Sequence, residues 1–230
     1  MTDLTRALQP KDLASYIDHT LLKPEATKQH IRKLCEEALE NHFFAVCVNS
    51  SMISTCSEIL KNTKVRIASV VGFPLGASES SVKTFEASRA FNLGAHEVDM
   101  VINIGALKAK DYLIVEKEIS DIVRVAAGNI VKVILETSLL TDEEKIKACE
   151  ISVQAGAHFV KTSTGFGGGG ATVSDIALMK KTVGTKSLVK ASGGIKNFAD
   201  AAALIAAGAN RLGTSSGVLL VTGQSVKSGY

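Results

Sequence analysis

The chain has no tryptophan, and aromatic residues make up only 5% of its 230 positions. Its interior must therefore be built from Ala, Val, Ile and Gly, as in an α/β protein whose strands are covered on both faces. No apolar run is long enough to span a bilayer. The opening stretch, MTDLTRALQPKDLASYID, lacks the apolar segment of a signal peptide. Lys and Arg form no run and the net charge is only +3, so neither nucleic acid nor a membrane is an expected partner. The four cysteines, Cys35, Cys47, Cys56 and Cys149, include no C-x-x-C pair. They read as reduced thiols of a cytoplasmic protein. The histidines His19, His30, His42, His96 and His158 show no metal-ligand spacing, and no metal is expected. Neither a nucleophile elbow nor a G-x-G-x-x-G turn after the first strand is present.

What is present is a regular alternation. Eight short β-rich runs fall at 16–20, 44–48, 65–71, 96–102, 131–137, 158–162, 187–191 and 210–214. Between them lie segments with apolar residues at three- and four-residue spacing, at 25–41, 50–62, 78–94, 109–128, 141–156, 172–184 and 197–208. That spacing predicts amphipathic helices packed on a sheet. A weak repeat supports the count: LGAHEVDM (93–100), AGAHFVKT (155–162) and AGANRLGT (207–214) share one layout. In each, a Gly suits the left-handed position just past a helix end. Thr141 with Glu144 forms a capping-box pattern, and Pro24 is expected in the first turn of a helix. Eight βα units in this length predict a (β/α)8 barrel, with a doubly wound open sheet as the runner-up. One domain is expected over 1–230, with a short N-terminal extension and a flexible C-terminal tail. The GFGGGG stretch at 165–170 is expected as a mobile loop after strand 6.

Two lysines end neighbouring apolar strands: Lys161 in HFVKTSTG and Lys190 in SLVKASGG. Adjacent strands lie about 4.8 Å apart, so two inward amines at one level repel when both are charged. Such repulsion lowers an amine's pKa, and a neutral amine attacks a carbonyl. A single lysine at a strand end can also snorkel to solvent. Two on consecutive strands, each followed by glycines, point to Schiff-base chemistry.

Asp99 sits mid-strand in HEVDMVI, where a carboxylate must be paired, and the two lysines are the expected partners. A carboxylate beside an ammonium can also move protons; a structural salt bridge is the alternative. Glu136 and Asp18 are weaker candidates near strand ends. Cys47 reads as a core residue with a site-lining role open. The turns SGGI (192–195) and GTSSG (213–217) follow strands 7 and 8, the usual phosphate cradle of a barrel. Lys196 and Arg211 are candidates to add positive field there. His96 and His158 begin their strands and are expected to be structural.

At these residues the chain resembles the deoxyribose-phosphate aldolase family. The resemblance runs almost end to end, from IDHTLLKP through EVDMVINIGALK, VKVILET, FVKTSTGF and VKASGGI to LGTSSG. It implies a metal-free, cofactor-free class I aldolase on a (β/α)8 barrel. The implied reaction is reversible cleavage of 2-deoxy-D-ribose 5-phosphate to D-glyceraldehyde 3-phosphate and acetaldehyde.

By motif, the resemblance makes Lys161 the Schiff-base residue, Lys190 the neighbour that tunes it and Asp99 the proton carrier. It places phosphate contacts at Gly165, Gly193, Gly194, Gly213, Ser215 and Ser216, and puts Asp18 and Thr20 near the sugar. It also suggests a protonation role for Tyr230 on the C-terminal tail. Where some members carry a basic residue after TSTG, this chain has Phe166. The implied partners are phosphosugar and aldehyde substrates and further copies of the chain. Another phosphosugar enzyme of this fold, or a non-catalytic barrel that binds a phosphorylated metabolite, remains as the alternative.

Overall fold

A computed structural model describes residues 8–224. Eight parallel strands close into a barrel in sequence order. They are β1 (Ile17–Leu21), β2 (Ala45–Val48), β3 (Arg66–Val71), β4 (Glu97–Val101), β5 (Ile130–Ile134), β6 (Phe159–Lys161), β7 (Leu188–Ser192) and β8 (Arg211–Thr214). The predicted (β/α)8 architecture is the observed one. The helices are α1 (Lys28–Glu40), α2 (Ile53–Leu60), α3 (Ser80–Asn92), α4 (Ile104–Lys108), α5 (Tyr112–Ala126), α6 (Asp142–Gln154), α7 (Val173–Val183), α8 (Phe198–Ala206) and α9 (Gly217–Val221).

Each helix lays one stripe on the barrel. In α1 the buried residues Ile31, Leu34, Cys35 and Ala38 recur at helical spacing. Fully burying a side chain of Ile or Leu size contributes about 1.5–3 kcal/mol. The main core is this shell between strands and helices. A second, smaller cluster of Leu22, Cys47, Ala68 and Val70, with Phe73 against it, lies apart from the shell. The alternation of β2 and β3 turns those residues to the inside of the barrel.

The internal repeat has a physical purpose. His96 Nδ1 accepts the backbone N–H of Ile67, His158 Nδ1 that of Val131, and Asn210 Oδ1 that of Val189. In each case the polar residue just ahead of a strand satisfies the N–H of the strand before it, at the closed end. The preceding glycines, Gly94, Gly156 and Gly208, all have positive φ. Both histidines are structural, as expected.

Several boundaries differ from the sequence reading. Residues 10–16 form a 3₁₀ helix, so Tyr16 precedes β1 instead of opening it. Pro24 lies in a turn, and α1 starts four residues later behind the N-cap Thr27. Residues 104–108, assigned to no element between the strand at 96–102 and the helical segment at 109–128, make a helix of their own capped by Asn103. The loop at 165–170 is largely exposed, yet three of its glycines lie close to neighbouring strand ends. A side chain at Gly167 would strike the Glu136 carboxylate, one at Gly169 would strike Ser138, and one at Gly170 would strike the Gly193 carbonyl. The glycines serve close approach to the ends of β5 and β7. The residue singled out on the tail, Tyr230, lies outside the described residues.

Candidate active site

Strand alternation places Lys161 and Lys190 inside the barrel, and the ladder pairs them directly across β6 and β7. Asp99 points inward from β4. One of its oxygens accepts from both amines, Lys161 Nζ at 2.7 Å and Lys190 Nζ at 2.8 Å. The other accepts from a third amine, Lys132 of β5, at 2.7 Å. Lys132 was missed by the sequence reading, although VKVILET carries the same signal as HEVDMVI, a charge inside an apolar strand.

Below these groups the charges continue. Lys190 also bonds Asp18, and Lys132 bonds Glu97 and lies 3.8 Å from Asp18. Arg211 Nη1 donates to Asp18 at 2.8 Å and lies 3.5 Å from Glu97. Arg211 is the first residue of β8 and its guanidinium stacks 3.4 Å from the centre of the Phe44 ring. It therefore belongs to the closed end and is no phosphate contact. Asp18 is likewise displaced from its expected place near the sugar: it has no exposed surface and lies beneath Lys190.

The environments set the charges. Burial lowers the pKa of Lys161, and the cation of Lys190 lowers it further against the pull of Asp99. Burial works against a charge on Lys190 too, but Asp18 and Asp99 more than offset it, and its pKa is raised. Asp99 is held well below the ordinary carboxylate value; burial opposes this, but the three lysines outweigh it. The tuning of Lys161 thus differs from the sequence reading, in which repulsion by Lys190 was the main cause. Desolvation is the larger effect, because two carboxylates neutralise much of the Lys190 field.

At the open end lies a cavity of about 440 Å³. Lys161 lines it, while Asp99 and Lys190 are wholly buried beneath. Its walls include Thr20, Gly165, Gly193, Gly194, Gly213, Ser215 and Ser216, so these predicted residues converge. Gly213 also keeps room for its neighbours, since a side chain there would come within 3.0 Å of Lys190 Cε and closer still to Ser192 Oγ. Two exposed cations, Lys23 and Lys196, stand on the rim. Lys23 was not foreseen. Phe166 packs edge-on against Phe73, with ring centres 5.3 Å apart. Glu136 adopts a left-handed backbone, φ 56°, and accepts from the backbone N–H and hydroxyl of Thr164. Cys47 lies inside the barrel, where burial and Asp99 raise its pKa and keep the thiol protonated. His19 faces outward to Glu37 of α1, at 2.7 Å. Among the described residues no cluster of three His, Cys, Asp or Glu side chains is set for a metal ion.

Known proteins resemble this chain in sequence and fold. Residues 13–221 match the family model described as DeoC/LacD family aldolase. A protein named deoxyribose-phosphate aldolase from Bdellovibrio bacteriovorus is 57% identical over 95% of this chain and 99% of its own length. One of that name from Carboxydothermus hydrogenoformans is 59% identical over 92% and 94%. Among solved structures, the tetrameric deoxyribose phosphate aldolase of Aeropyrum pernix superposes with a TM-score of 0.87. It is 36% identical, covering 93% of this chain and 91% of that one. With a family match over nearly the whole barrel, this chain is a member of the DeoC/LacD family of aldolases.

Proposed function

We propose that the protein is a deoxyribose-phosphate aldolase that cleaves 2-deoxy-D-ribose 5-phosphate to D-glyceraldehyde 3-phosphate and acetaldehyde, and runs the reverse addition. The observation that carries this reading is the amine of Lys161. It is the one member of the buried lysine–aspartate cluster that reaches the cavity, and burial disfavours its charge.

As a free amine, Lys161 attacks the C1 aldehyde carbon. Asp99, 2.7 Å from Nζ, accepts the proton that the attacking nitrogen sheds and returns it as the carbinolamine loses water. The iminium that forms is an electron sink. Loss of the C3 hydroxyl proton breaks the C2–C3 bond, its electrons move into the iminium, and glyceraldehyde 3-phosphate leaves. The remaining enamine takes a proton at C2, and water releases acetaldehyde and regenerates Lys161. Lys190, kept cationic by Asp18 and Asp99, disfavours a second positive charge beside it. The phosphate is assigned to Gly165, Gly193, Gly194, Gly213, Ser215 and Ser216, with Thr20 near the sugar. Lys23 and Lys196 on the rim supply the positive field that Phe166 does not.

Further copies of the chain are the proposed partners. Support comes from the tetrameric Aeropyrum pernix relative and from large apolar residues left exposed on two helices that pack together, Val82 and Phe85 of α3 with Leu113 of α5. No helix among the described residues is long and apolar enough to cross a membrane. Buried free cysteines fit the proposed cytoplasmic location. A panel of phosphosugars tests the reading: acetaldehyde should appear from 2-deoxyribose 5-phosphate. Binding of that ester without release of acetaldehyde would favour a non-catalytic barrel.

A further inference from the structure

The buried charges inside the barrel can be counted. The cations are Arg211, Lys132, Lys190 and Lys161; the anions are Asp18, Glu97 and Asp99. Every member is at most 6% exposed. With all seven ionised the set carries one excess positive charge in a space nearly closed to solvent. It balances when one amine is neutral. Lys190 holds two carboxylates, Lys132 touches Asp99 and Glu97, and Arg211 touches Asp18 and Glu97. Lys161 has only Asp99, on an oxygen it shares with Lys190. It is therefore the cation the set can do without.

The set is also continuous. It runs from Arg211 and Glu97, the first residues of β8 and β4, through Asp18, Lys132 and Lys190 to Asp99 and Lys161. We infer that Arg211 and Glu97, at the closed end of the barrel, set the charge of Lys161 at the open end through this chain of contacts. The inference rests on the proposed role of Lys161 as the attacking amine. Both are positioning residues, because neither lines the substrate cavity and each acts through other side chains.

The groups acting directly on Lys161 are Asp99 from β4, Lys190 from β7 and the thiol of Cys47 from β2; Lys132 from β5 and Asp18 from β1 touch Asp99 and Lys190 respectively and act through them. From β3 the apolar Ala68 and Val70 face inward; Arg66, on the same side of the strand by alternation, is exposed at its closed end. Glu136 is turned to Thr164 and has no ion pair with these amines among the described residues. Lys23 and Lys196 are exposed, where water and salt screen them.

Removing the Glu97 charge leaves the set one anion short even with Lys161 neutral, so Lys161 becomes harder to protonate. Removing the Arg211 charge leaves an excess anion that a protonated Lys161 would balance. The two changes act in opposite directions, which general loosening of the barrel would not produce. The experiment is the pH dependence of kcat/KM for cleavage of 2-deoxyribose 5-phosphate, because its acid limb reports loss of the free amine.

Glu97→Gln should move that limb down by about one pH unit and Arg211→Gln should move it up by a similar amount. In the double variant, where the lost charges cancel, the limb should return close to the wild-type position. Should Arg211→Gln not fold, Glu97→Gln and the double variant carry the test, with thermal melts confirming their folding. Shifts in the same direction, or limbs that stay in place, overturn the inference while leaving the aldolase reading intact. Failure of wild-type Lys161 to form a reducible adduct with acetaldehyde overturns both.

Discussion

At the scale of single residues, the cluster works because one carboxylate oxygen serves two amines that differ in their other partners. Lys190 has Asp18 as well; Lys161 has the cavity. Replacing Lys190 with leucine leaves Asp18 and Asp99 with one cation fewer. Protonated Lys161 then becomes easier to hold, its pKa rises, and the fraction of free amine at neutral pH falls. We expect kcat/KM at pH 7 to drop roughly 100-fold and to recover in part at higher pH. A pH profile measured against wild type checks this; an unshifted acid limb would contradict it. Gly213→Ala should also impair turnover, because the new methyl group reaches both Lys190 Cε and Ser192. The overpacking costs about 1–3 kcal/mol and is readable in urea melts. Much of this was legible in the sequence, since a lysine or aspartate in an apolar strand has few bland explanations. What was not legible was depth. Asp18 and Thr20 are two residues apart in one strand, yet only Thr20 lines the cavity and Asp18 lies beneath Lys190. Arg211 read as a candidate for the phosphate field because its strand was recognised but its level in the barrel was not.

At the scale of elements, strand and helix order followed from hydrophobic periodicity, and the local stop and start signals were mostly sound. Thr141 accepts from the Glu144 N–H while the Glu144 carboxylate accepts from the Thr141 N–H, as the S/T-x-x-E spacing implied. Thr141→Ala should cost about 1 kcal/mol and lower Tm by about 2–4 °C with cleavage unchanged, which calorimetry and an activity assay together would show. Pro24 misled because its fixed φ suits a turn as well as a first helical residue. The glycine run at 165–170 carries a requirement beyond the mobility its composition suggests. Three of its glycines stand where a β-carbon would hit Glu136, Ser138 or Gly193. That requirement comes from neighbouring strand ends far away in sequence, so no local pattern announces it.

At the scale of the whole molecule, the barrel interior is divided. Apolar residues of β2 and β3 fill one side, and seven charged side chains from β1 and β4–β8 fill the other. Such a charged interior ties stability to pH. Burial works to raise the pKa of Asp18, but Lys190, Lys132 and Arg211 bring it down from 3.8 to about 2. A lowered folded value means that the ionised form stabilises the fold above pH 3.8 and that this is lost as pH falls toward about 2. The contribution is about 2 kcal/mol. Urea melts should therefore show wild type losing about 2 kcal/mol more than Asp18→Asn between about pH 5 and pH 2. Equal losses would mean that Asp18 is not held in this way. The proposed chemistry traces back to one nitrogen at the top of β6, the Lys161 amine, whose charge burial disfavours. Borohydride reduction in the presence of acetaldehyde, followed by peptide mass mapping, tests it most directly. The account predicts an ethyl group on Lys161, absent from Lys161→Ala, which should fold but not cleave. An adduct on Lys190 or Lys132 instead, or none on any lysine, would contradict it.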